Sequence, residues 1–229
     1  MSISTVLLDA GGVILDESEH EAVRAQITVE VLSSVVSGYT LAAYYSDVEE
    51  AVRCFCPSAY QYVFWKHLKT DRSTFDKLYA SYLNICRTRK PPLKLTPGLG
   101  DELRPIAQDF KVAIAGQYGR ELLEALSQQG LLDRFAHRFT QDDFPLTKPD
   151  PRYYEQIAEA CGVAARVCIM VGDRIDKDVI PARQVGMKTI RIRVGLHRNQ
   201  EPRVPSEIPD AELDSLTGLA VAVRELARK

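Results

Sequence analysis

The sequence predicts an α/β protein with a doubly wound parallel sheet and an inserted all-helical domain. Short apolar runs closed by glycine recur along the chain, helical patterns separate the later runs, and one long segment contains no strand pattern. Strands that alternate with helices indicate a parallel sheet with helices on both faces. The length of 229 residues corresponds to one or two domains and agrees with this organisation.

Four apolar runs are predicted to be buried strands of this sheet. Each run precedes a glycine, and together they cover residues 3–8, 112–114, 167–171 and 189–194. A short apolar run bounded by turn residues is typical of a buried parallel strand. The apolar stripe of Leu122 and Leu126 predicts a helix that ends before Gly130. Asp150 and Pro151 predict the N-cap and first position of a later helix.

Residues 16–96 are predicted to form the inserted domain of about four helices, with 1–15 and 97–229 forming the α/β core. Capping-box sequences at 46–49 and 58–61 indicate helix starts within the insert. Hinges are expected near Asp16 and Pro97. Most of the insert's crowded aromatic side chains are expected in its core, with a few in a substrate pocket; they are Tyr39, Tyr44, Tyr45, Phe55, Tyr60, Tyr62, Phe64 and Trp65.

Composition excludes several classes of protein. The chain has 29 Lys and Arg against 31 Asp and Glu, without a basic block, which argues against nucleic-acid binding. Five cysteines, an odd number, argue against a disulfide framework, and Cys54 and Cys56 lie too close in sequence to share a helix face, which argues against zinc. No apolar run approaches the roughly 20 residues that span a bilayer, and no Lys or Arg precedes the first run. A soluble cytoplasmic protein is expected.

Two carboxylates follow predicted strands at the same edge of the sheet. Asp9 ends the first run, where a carboxylate can act as a nucleophile or cap the next turn. Asp173 follows the third run after Gly172. Ligands of parallel α/β sheets bind beyond the carboxyl ends of the strands. Two carboxylates there would make a hard-oxygen site suited to Mg²⁺.

Three further sets of charged residues could serve the site or have ordinary structural roles. Lys148 lies in a proline-stiffened loop, where it is either a surface lysine or a charge that neutralises an anion over the strand ends. Asp178 precedes Pro181, so it is either the N-cap of a helix starting there or part of the metal site. Arg191 and Arg193 alternate along the fourth strand and are expected on a solvated face.

Four segments together resemble the motifs of the haloacid dehalogenase (HAD) superfamily, and the likeness covers nearly the whole chain. Residues 6–15 resemble the first motif, in which an aspartate ends the first strand. Residues 112–117 stand at the place of the second motif. Residues 148–151 and 171–178 resemble the third and fourth motifs, which are the most specific. The helical insert stands where the family places its helical cap.

The resemblance implies a mechanism and a cofactor. Asp9 would attack a phosphoryl group and form an aspartyl-phosphate that water then hydrolyses. Mg²⁺ would be held by Asp9, the backbone carbonyl of Gly11 and Asp173. Lys148 would bind the Asp9 carboxylate and neutralise the charge of the phosphoryl group. Asp178 would support these residues from outside the catalytic set. The implied substrate is a phosphorylated small molecule over which the cap closes.

Two positions depart from the family pattern. Gly11 stands where the first motif usually carries a second aspartate, which protonates the leaving group and activates water. Such acid–base help is worth roughly 10²–10⁴-fold. Gly116, followed by Gln117, stands where the second motif usually carries Ser or Thr. Backbone N–H groups and the Gln117 amide are expected to bind the phosphoryl oxygens instead.

These departures leave three functions to weigh. The leading hypothesis is a Mg²⁺-dependent phosphatase that is slow or restricted to good leaving groups. A non-catalytic small-anion-binding protein is favoured by Gly11 and Gly116, whereas the intact set of Asp9, Lys148 and Asp173 argues against it. A 2-haloacid dehalogenase is less favoured, because such enzymes of the family usually carry an aromatic residue where Gly11 stands. A helical cap can form a homodimer, but nothing in the sequence requires one.

Overall fold

The computed structural model describes residues 2–229, which form two compact units. Residues 2–16 and Leu93–Lys229 make the α/β unit, and Glu17–Pro92 make the helical unit. The α/β unit includes Asp16 and residues 93–96, all of which the sequence assigned to the insert. These residues belong to the α/β unit because they pair with the segment after the first strand: Asp16 N donates to Lys94 O and Thr96 N donates to Ile14 O, both at 2.9 Å.

The helical unit consists of four helices and contains no strand among its described residues. The helices are α1 (Ser18–Leu32), α2 (Leu41–Arg53), α3 (Ala59–Leu68) and α4 (Arg72–Thr88). Ser58 caps α3 by accepting a hydrogen bond from Gln61 N, as predicted. The prediction that Ser46 starts a helix is wrong, because Ser46 lies inside α2 and Thr40 is its N-cap. Tyr44, Val48 and Val52 are buried at a spacing of four, so the apolar stripe of α2 begins before Ser46.

The aromatic side chains of the helical unit are only partly in its core. Tyr39, Tyr44 and Phe64 are buried. Tyr45 and Trp65 are 50% and 49% exposed, so fewer of the eight aromatic side chains are buried than predicted. The remaining three aromatic side chains, Phe55, Tyr60 and Tyr62, are half-buried.

Five parallel strands form the sheet of the α/β unit in the order β2-β1-β3-β4-β5. The strands are β1 (Thr5–Leu8), β2 (Lys111–Ile114), β3 (Cys168–Gly172), β4 (Lys188–Ile192) and β5 (Ala211–Leu213). All four neighbouring pairs are parallel, and β3 is the central strand, between β1 and β4. The predicted fold class is therefore confirmed, and β5 is an additional strand that the sequence did not predict.

Helices cover both faces of this sheet. They are α5 (Leu99–Asp109), α6 (Arg120–Gln128), α7 (Pro151–Ala160), α8 (Ile180–Gln184) and α9 (Leu219–Arg228). Alternate strand residues pack on one face against α5, α6 and α9, and the remaining ones pack on the other face against α7 and α8. Asp150 caps α7 and Pro151 starts it, as predicted. No helix among residues 2–229 has the length and apolar character needed to cross a membrane.

Candidate active site

The candidate site begins at the carboxyl end of β1. The N–H of Asp9 donates to Val171 O at 2.8 Å, so the pairing with β3 continues one residue past β1. The chain then reverses, and the N–H groups of Ile14 and Leu15 both donate to Ala10 O at 3.0 and 2.8 Å. These bonds hold the Asp9 backbone at the sheet edge, and its side chain is 14% exposed. Gly11 lies in this turn and contributes no side chain to the site.

Lys148 lies between two carboxylates in the interior of the α/β unit. Its Nζ is 2.7 Å from Asp9 Oδ1 and 2.6 Å from Asp178 Oδ1, and its side chain is 4% exposed. Burial favours the neutral amine, but the charges of Asp178 and Asp9 outweigh burial and hold the pKa of Lys148 above its ordinary value. Lys148 is therefore a buried cation rather than a surface lysine.

Asp9 itself is ionised at neutral pH. Burial raises the pKa of the Asp9 carboxyl to about 6, against the lowering effect of Lys148. A carboxylate with this pKa is available as a nucleophile at neutral pH and is only weakly stabilised by its surroundings.

Asp178 positions the lysine and is not a helix N-cap. Its side chain is 1% exposed, and its Oδ2 accepts a hydrogen bond from Arg174 N at 3.0 Å. The N-cap alternative for Asp178 is wrong, because a π-helical turn over Ile175–Val179 contains this residue and Val179 is the N-cap of α8. A Cβ at Gly172 would lie 2.3 Å from Asp178 Cγ, so glycine there lets the carboxylate reach Lys148.

Asp173 approaches the turn after Asp9 because position 12 is glycine. Gly12 has a φ of +71°, and a Cβ there would lie 3.2 Å from both Cβ and Cγ of Asp173. A side chain at position 12 would be strained by the backbone and crowded by Asp173. Asp173 is 8% exposed.

The prediction of a solvated face at Arg191 is wrong. Arg191 is fully buried, and its guanidinium donates to Asp173 O, Glu212 Oε1 and His197 O. The alternation of polar residues along β4 was assigned to solvent because β5, which carries Glu212, was not predicted. Arg193 is partly exposed and pairs with Glu201 at 2.8 Å, as expected for a surface residue.

Three carboxylates converge at this edge of the sheet. Asp9, Asp173 and Asp178 each offer one oxygen, and these oxygens lie within 4.8 Å of one another. Hard oxygen donors of this kind fit Mg²⁺, which binds through one or two carboxylates and keeps several waters. Both oxygens of Asp178 already accept hydrogen bonds, from Lys148 and Arg174. Asp178 is therefore already engaged in contacts within the protein.

The segment after β2 packs directly against the turn after Asp9. A Cβ at Gly116 would lie 2.3 Å from Ala10 Cβ and 2.6 Å from Ala10 N. Real Cβ atoms do not approach so closely, so no serine or threonine fits at position 116 without movement. Gln117 follows and is half-buried.

Two residues that support the site were missed by the sequence analysis. Tyr154 on α7 donates its hydroxyl to Lys177 O at 2.5 Å and lies 3.3 Å from Asp178 Oδ1. Arg191 holds the backbone of Asp173. A tyrosine in the first turn of a helix after the Lys148 loop was a usable signal. The role of Arg191 depends on the pairing of β4 with β5, a strand that the sequence did not predict.

Comparison of the chain with models of known protein families identifies its family. The family model for haloacid dehalogenase-like hydrolases matches residues 3–186. The chain therefore belongs to this family, as the motifs predicted.

Curated relatives match part of the chain. Over 105 residues the chain is 36% identical to a glyceraldehyde 3-phosphate phosphatase of Methanopyrus kandleri, covering 46% of this chain and 45% of the relative. Over 69 residues it is 36% identical to a phospholysine phosphohistidine inorganic pyrophosphate phosphatase of Mus musculus, covering 30% and 26%. The chain thus spans less than half the length of these curated relatives.

Solved structures match the fold over almost the full length. The magnesium-bound HAD-hydrolase YfnB from Bacillus subtilis superposes with a TM-score of 0.68 at 20% identity, covering 97% of this chain and 99% of that one. The haloacid dehalogenase-like protein ATU0790 from Agrobacterium tumefaciens gives 0.70 at 19% identity, covering 98% and 99%. At these identities the likeness shows the fold alone.

Proposed function

We propose that this hydrolase is a Mg²⁺-dependent phosphatase that acts on a phosphorylated small molecule through Asp9. The observation that carries the proposal is the position of Asp9 Oδ1, 2.7 Å from Lys148 Nζ at the carboxyl end of β1. Relatives named as phosphatases, one of them for glyceraldehyde 3-phosphate, support the substrate class. The helical unit is proposed to be the cap that selects the substrate.

The chemistry requires two displacements at phosphorus. Asp9 attacks, forming an O–P bond while the bond from phosphorus to the leaving oxygen breaks, and water then attacks phosphorus to release phosphate and free Asp9. Lys148 keeps Asp9 ionised and neutralises charge on the phosphoryl group. Mg²⁺, bound by Asp9, the Gly11 carbonyl and Asp173, would supply further neutralisation of that charge. Backbone N–H groups at Gly116 are proposed to bind the remaining phosphoryl oxygens, with help from the Gln117 amide.

Gly11 limits which substrates can react. No side chain at position 11 can protonate the leaving oxygen, so leaving groups that are stable as anions should react fastest. We propose that aryl and acyl phosphates are cleaved far faster than alkyl phosphates.

A phosphate-ester panel tests the proposal. The wild type is expected to show a steep dependence on leaving-group pKa, and Gly11→Asp is expected to raise alkyl-phosphate turnover by about 10²-fold or more. Asp9→Asn is expected to abolish turnover in both backgrounds. Equal turnover of alkyl and aryl esters by the wild type would mean that another residue supplies the proton.

Magnesium binding has a separate test that does not depend on turnover. Mg²⁺ is expected to raise the unfolding temperature of the wild type and of Asp133→Ala, in which an exposed carboxylate is removed. The increase is expected to disappear in Asp173→Ala. Equal increases in all three proteins would contradict the assignment of Asp173.

The second candidate is a non-catalytic anion-binding protein, favoured by the missing side chains at Gly11 and Gly116. It predicts that phosphate esters bind but are not turned over, with or without Mg²⁺. Haloacids in the same panel test the dehalogenase alternative, for which Asp9 would attack carbon and release halide. None of the five cysteines forms a disulfide within the described residues, which fits the proposal that the protein is cytoplasmic.

A further inference from the structure

The helical unit contains a cavity that no part of the proposed reaction uses. It has a volume of about 280 Å³ and lies between α1 and the chain at the end of α4. Four of its lining residues are cationic: Arg24, Arg87, Arg89 and Lys90. Its apolar lining comes from side chains such as Val23, Ile27 and Leu83. Within the described residues, none of the lining side chains is acidic.

The cations of this cavity are incompletely neutralised by the protein. Arg89 is paired with Glu30 through contacts of 2.6 and 3.2 Å. Arg24 lies over the Tyr60 ring at 4.7 Å, and its ion pair with Glu21 is long, at 3.9 Å. Arg87 makes no ion pair or side-chain hydrogen bond within residues 2–229. Positive charge is therefore available to an anion in the cavity.

His20 adds a second, independent sign of a ligand. The residue lines the cavity and is 8% exposed, and its Nε2 has no hydrogen-bond partner within the described part of the chain. Its ring donates to the backbone carbonyl of Pro91, so that bond uses the other nitrogen. Burial and the nearby charge of Arg24 lower the pKa of His20 and keep the ring neutral. Nε2 is thus an acceptor without a donor, a state that costs free energy in a folded protein.

We propose that this cavity binds a small phosphorylated anion that carries a hydroxyl group. Its anionic oxygens accept hydrogen bonds from Arg24 and Arg87, and its hydroxyl donates to His20 Nε2. Hydrogen phosphate is the simplest such ligand, since it has three acceptor oxygens and one O–H. The site joins the first turn of α1 to the chain that follows α4, so an occupied site stabilises the helical unit. The inference does not depend on the proposed phosphatase activity.

Inorganic phosphate and sulfate provide matched probes of this site. Both are dianions at roughly pH 8, above the ordinary imidazole pKa of about 6.5, but only phosphate retains an O–H donor. The His20 ring resonance, assigned by its loss in His20→Gln, is followed by NMR in the full-length protein. Phosphate is expected to shift it saturably and to bind about tenfold more tightly than sulfate. Equal binding of the two anions would overturn the proposed hydrogen bond to Nε2.

Charge variants separate this site from phosphate binding elsewhere in the chain. Arg87→Gln is expected to weaken the phosphate response of His20 about tenfold, whereas Arg53→Gln, a control on α2 outside the cavity, should leave it unchanged. Arg87 is exposed, so the variant is expected to fold. A His20 resonance that does not respond to phosphate, or responds equally in both variants, would overturn the proposal. Phosphate bound in the α/β unit would give neither the His20 shift nor its dependence on Arg87.

Discussion

The buried guanidinium of Arg191 donates a hydrogen bond from Nε to the backbone carbonyl of Asp173 at 3.3 Å. The same group reaches Glu212 Oε1 at 2.9 Å and His197 O at 2.8 Å. A buried cation is tolerated only where it is paired and hydrogen-bonded. Arg191 therefore connects β4 with β5 and with the turn at His197. It also holds Asp173, whose carboxylate is a proposed magnesium ligand.

Arg191→Met is expected to weaken both the fold and the metal site. It leaves the Asp173 carbonyl without this donor and is expected to lower the free energy of unfolding by about 1–3 kcal/mol. The increase in unfolding temperature on adding Mg²⁺ should also become smaller. Arg193→Met, which removes a partly exposed arginine from the same strand, should cost less than about 1 kcal/mol. Similar losses in the two variants, measured by urea unfolding, would contradict a positioning role.

Lys148→Met is expected to abolish turnover and to destabilise the α/β unit. Without the lysine, the buried carboxylates of Asp9 and Asp178 face each other uncompensated, a change that typically costs about 3–5 kcal/mol. Adding Asp178→Asn to Lys148→Met removes one of these charges and should recover part of the stability but none of the activity. The comparison requires unfolding curves and turnover of an aryl phosphate for both proteins. A double variant less stable than Lys148→Met would exclude repulsion between Asp9 and Asp178 as the cause of the lost stability.

Gly116→Ser is expected to be destabilising, although serine restores the usual residue of the family motif. Its Cβ would meet Ala10 Cβ at 2.3 Å, and overpacking of this kind costs about 1–3 kcal/mol. Ala10→Gly should recover part of the loss in Gly116→Ser, because it removes the Cβ contact but not the contact with Ala10 N. Unfolding of the two single variants and the double variant forms a cycle that measures this coupling. Additive losses would show that residues 10 and 116 are not in contact.

Glu21 is expected to make the stability of the helical unit depend on pH. Burial raises the pKa of its carboxyl from 4.5 to about 7, although Tyr60 donates a hydrogen bond to Oε1. Between pH 4.5 and about pH 7, the folded chain binds the proton of the Glu21 carboxyl more tightly than the unfolded chain does. The free energy of unfolding should therefore fall as pH rises through this window, by up to about 3 kcal/mol.

Glu21→Gln tests this dependence. The variant carries no charge to bury, so its stability should exceed that of the wild type above about pH 7 and should change less between about pH 5 and pH 8. Glu19→Gln, an exposed substitution on the same helix, is the control and should keep the wild-type profile. Identical pH profiles for wild type and Glu21→Gln would show that Glu21 does not titrate in this range.

The pattern of strands was sufficient to predict that Asp9 and Asp173 lie close together. Short apolar runs that alternate with helices predict parallel strands, and the carboxyl ends of parallel strands meet at one edge. Residues placed directly after those strands are therefore neighbours, however far apart they lie in sequence. Lys148 follows no strand and lies in the loop before α7, so its contact with Asp9, 139 positions earlier, was predicted from the resemblance of residues 148–151 to the third family motif.

The residues that were misassigned depend on contacts that no local pattern encodes. Arg191 resembles a solvent-facing strand residue unless its partner Glu212 is known, and β5 is only three residues long. Asp178 resembles an N-cap because the following proline suggests a helix start, whereas the chain first forms a π-helical turn. That turn brings the carboxylate to Lys148, so the departure from regular helix serves the site.

Residues 14–16 and 94–96 run side by side and are hydrogen-bonded within the α/β unit. The chain therefore leaves and re-enters the sheet domain at a single point that is already closed. Because the two ends of the insert are already held together, the stability of the α/β unit depends little on the length of the insert. The entropic cost of closing such a loop rises only slowly with the number of residues in it. The 17–92 segment could therefore change in length while the carboxylates at the sheet edge keep their places. Under the proposed function, separate stretches of the chain would encode substrate preference and bond-breaking chemistry.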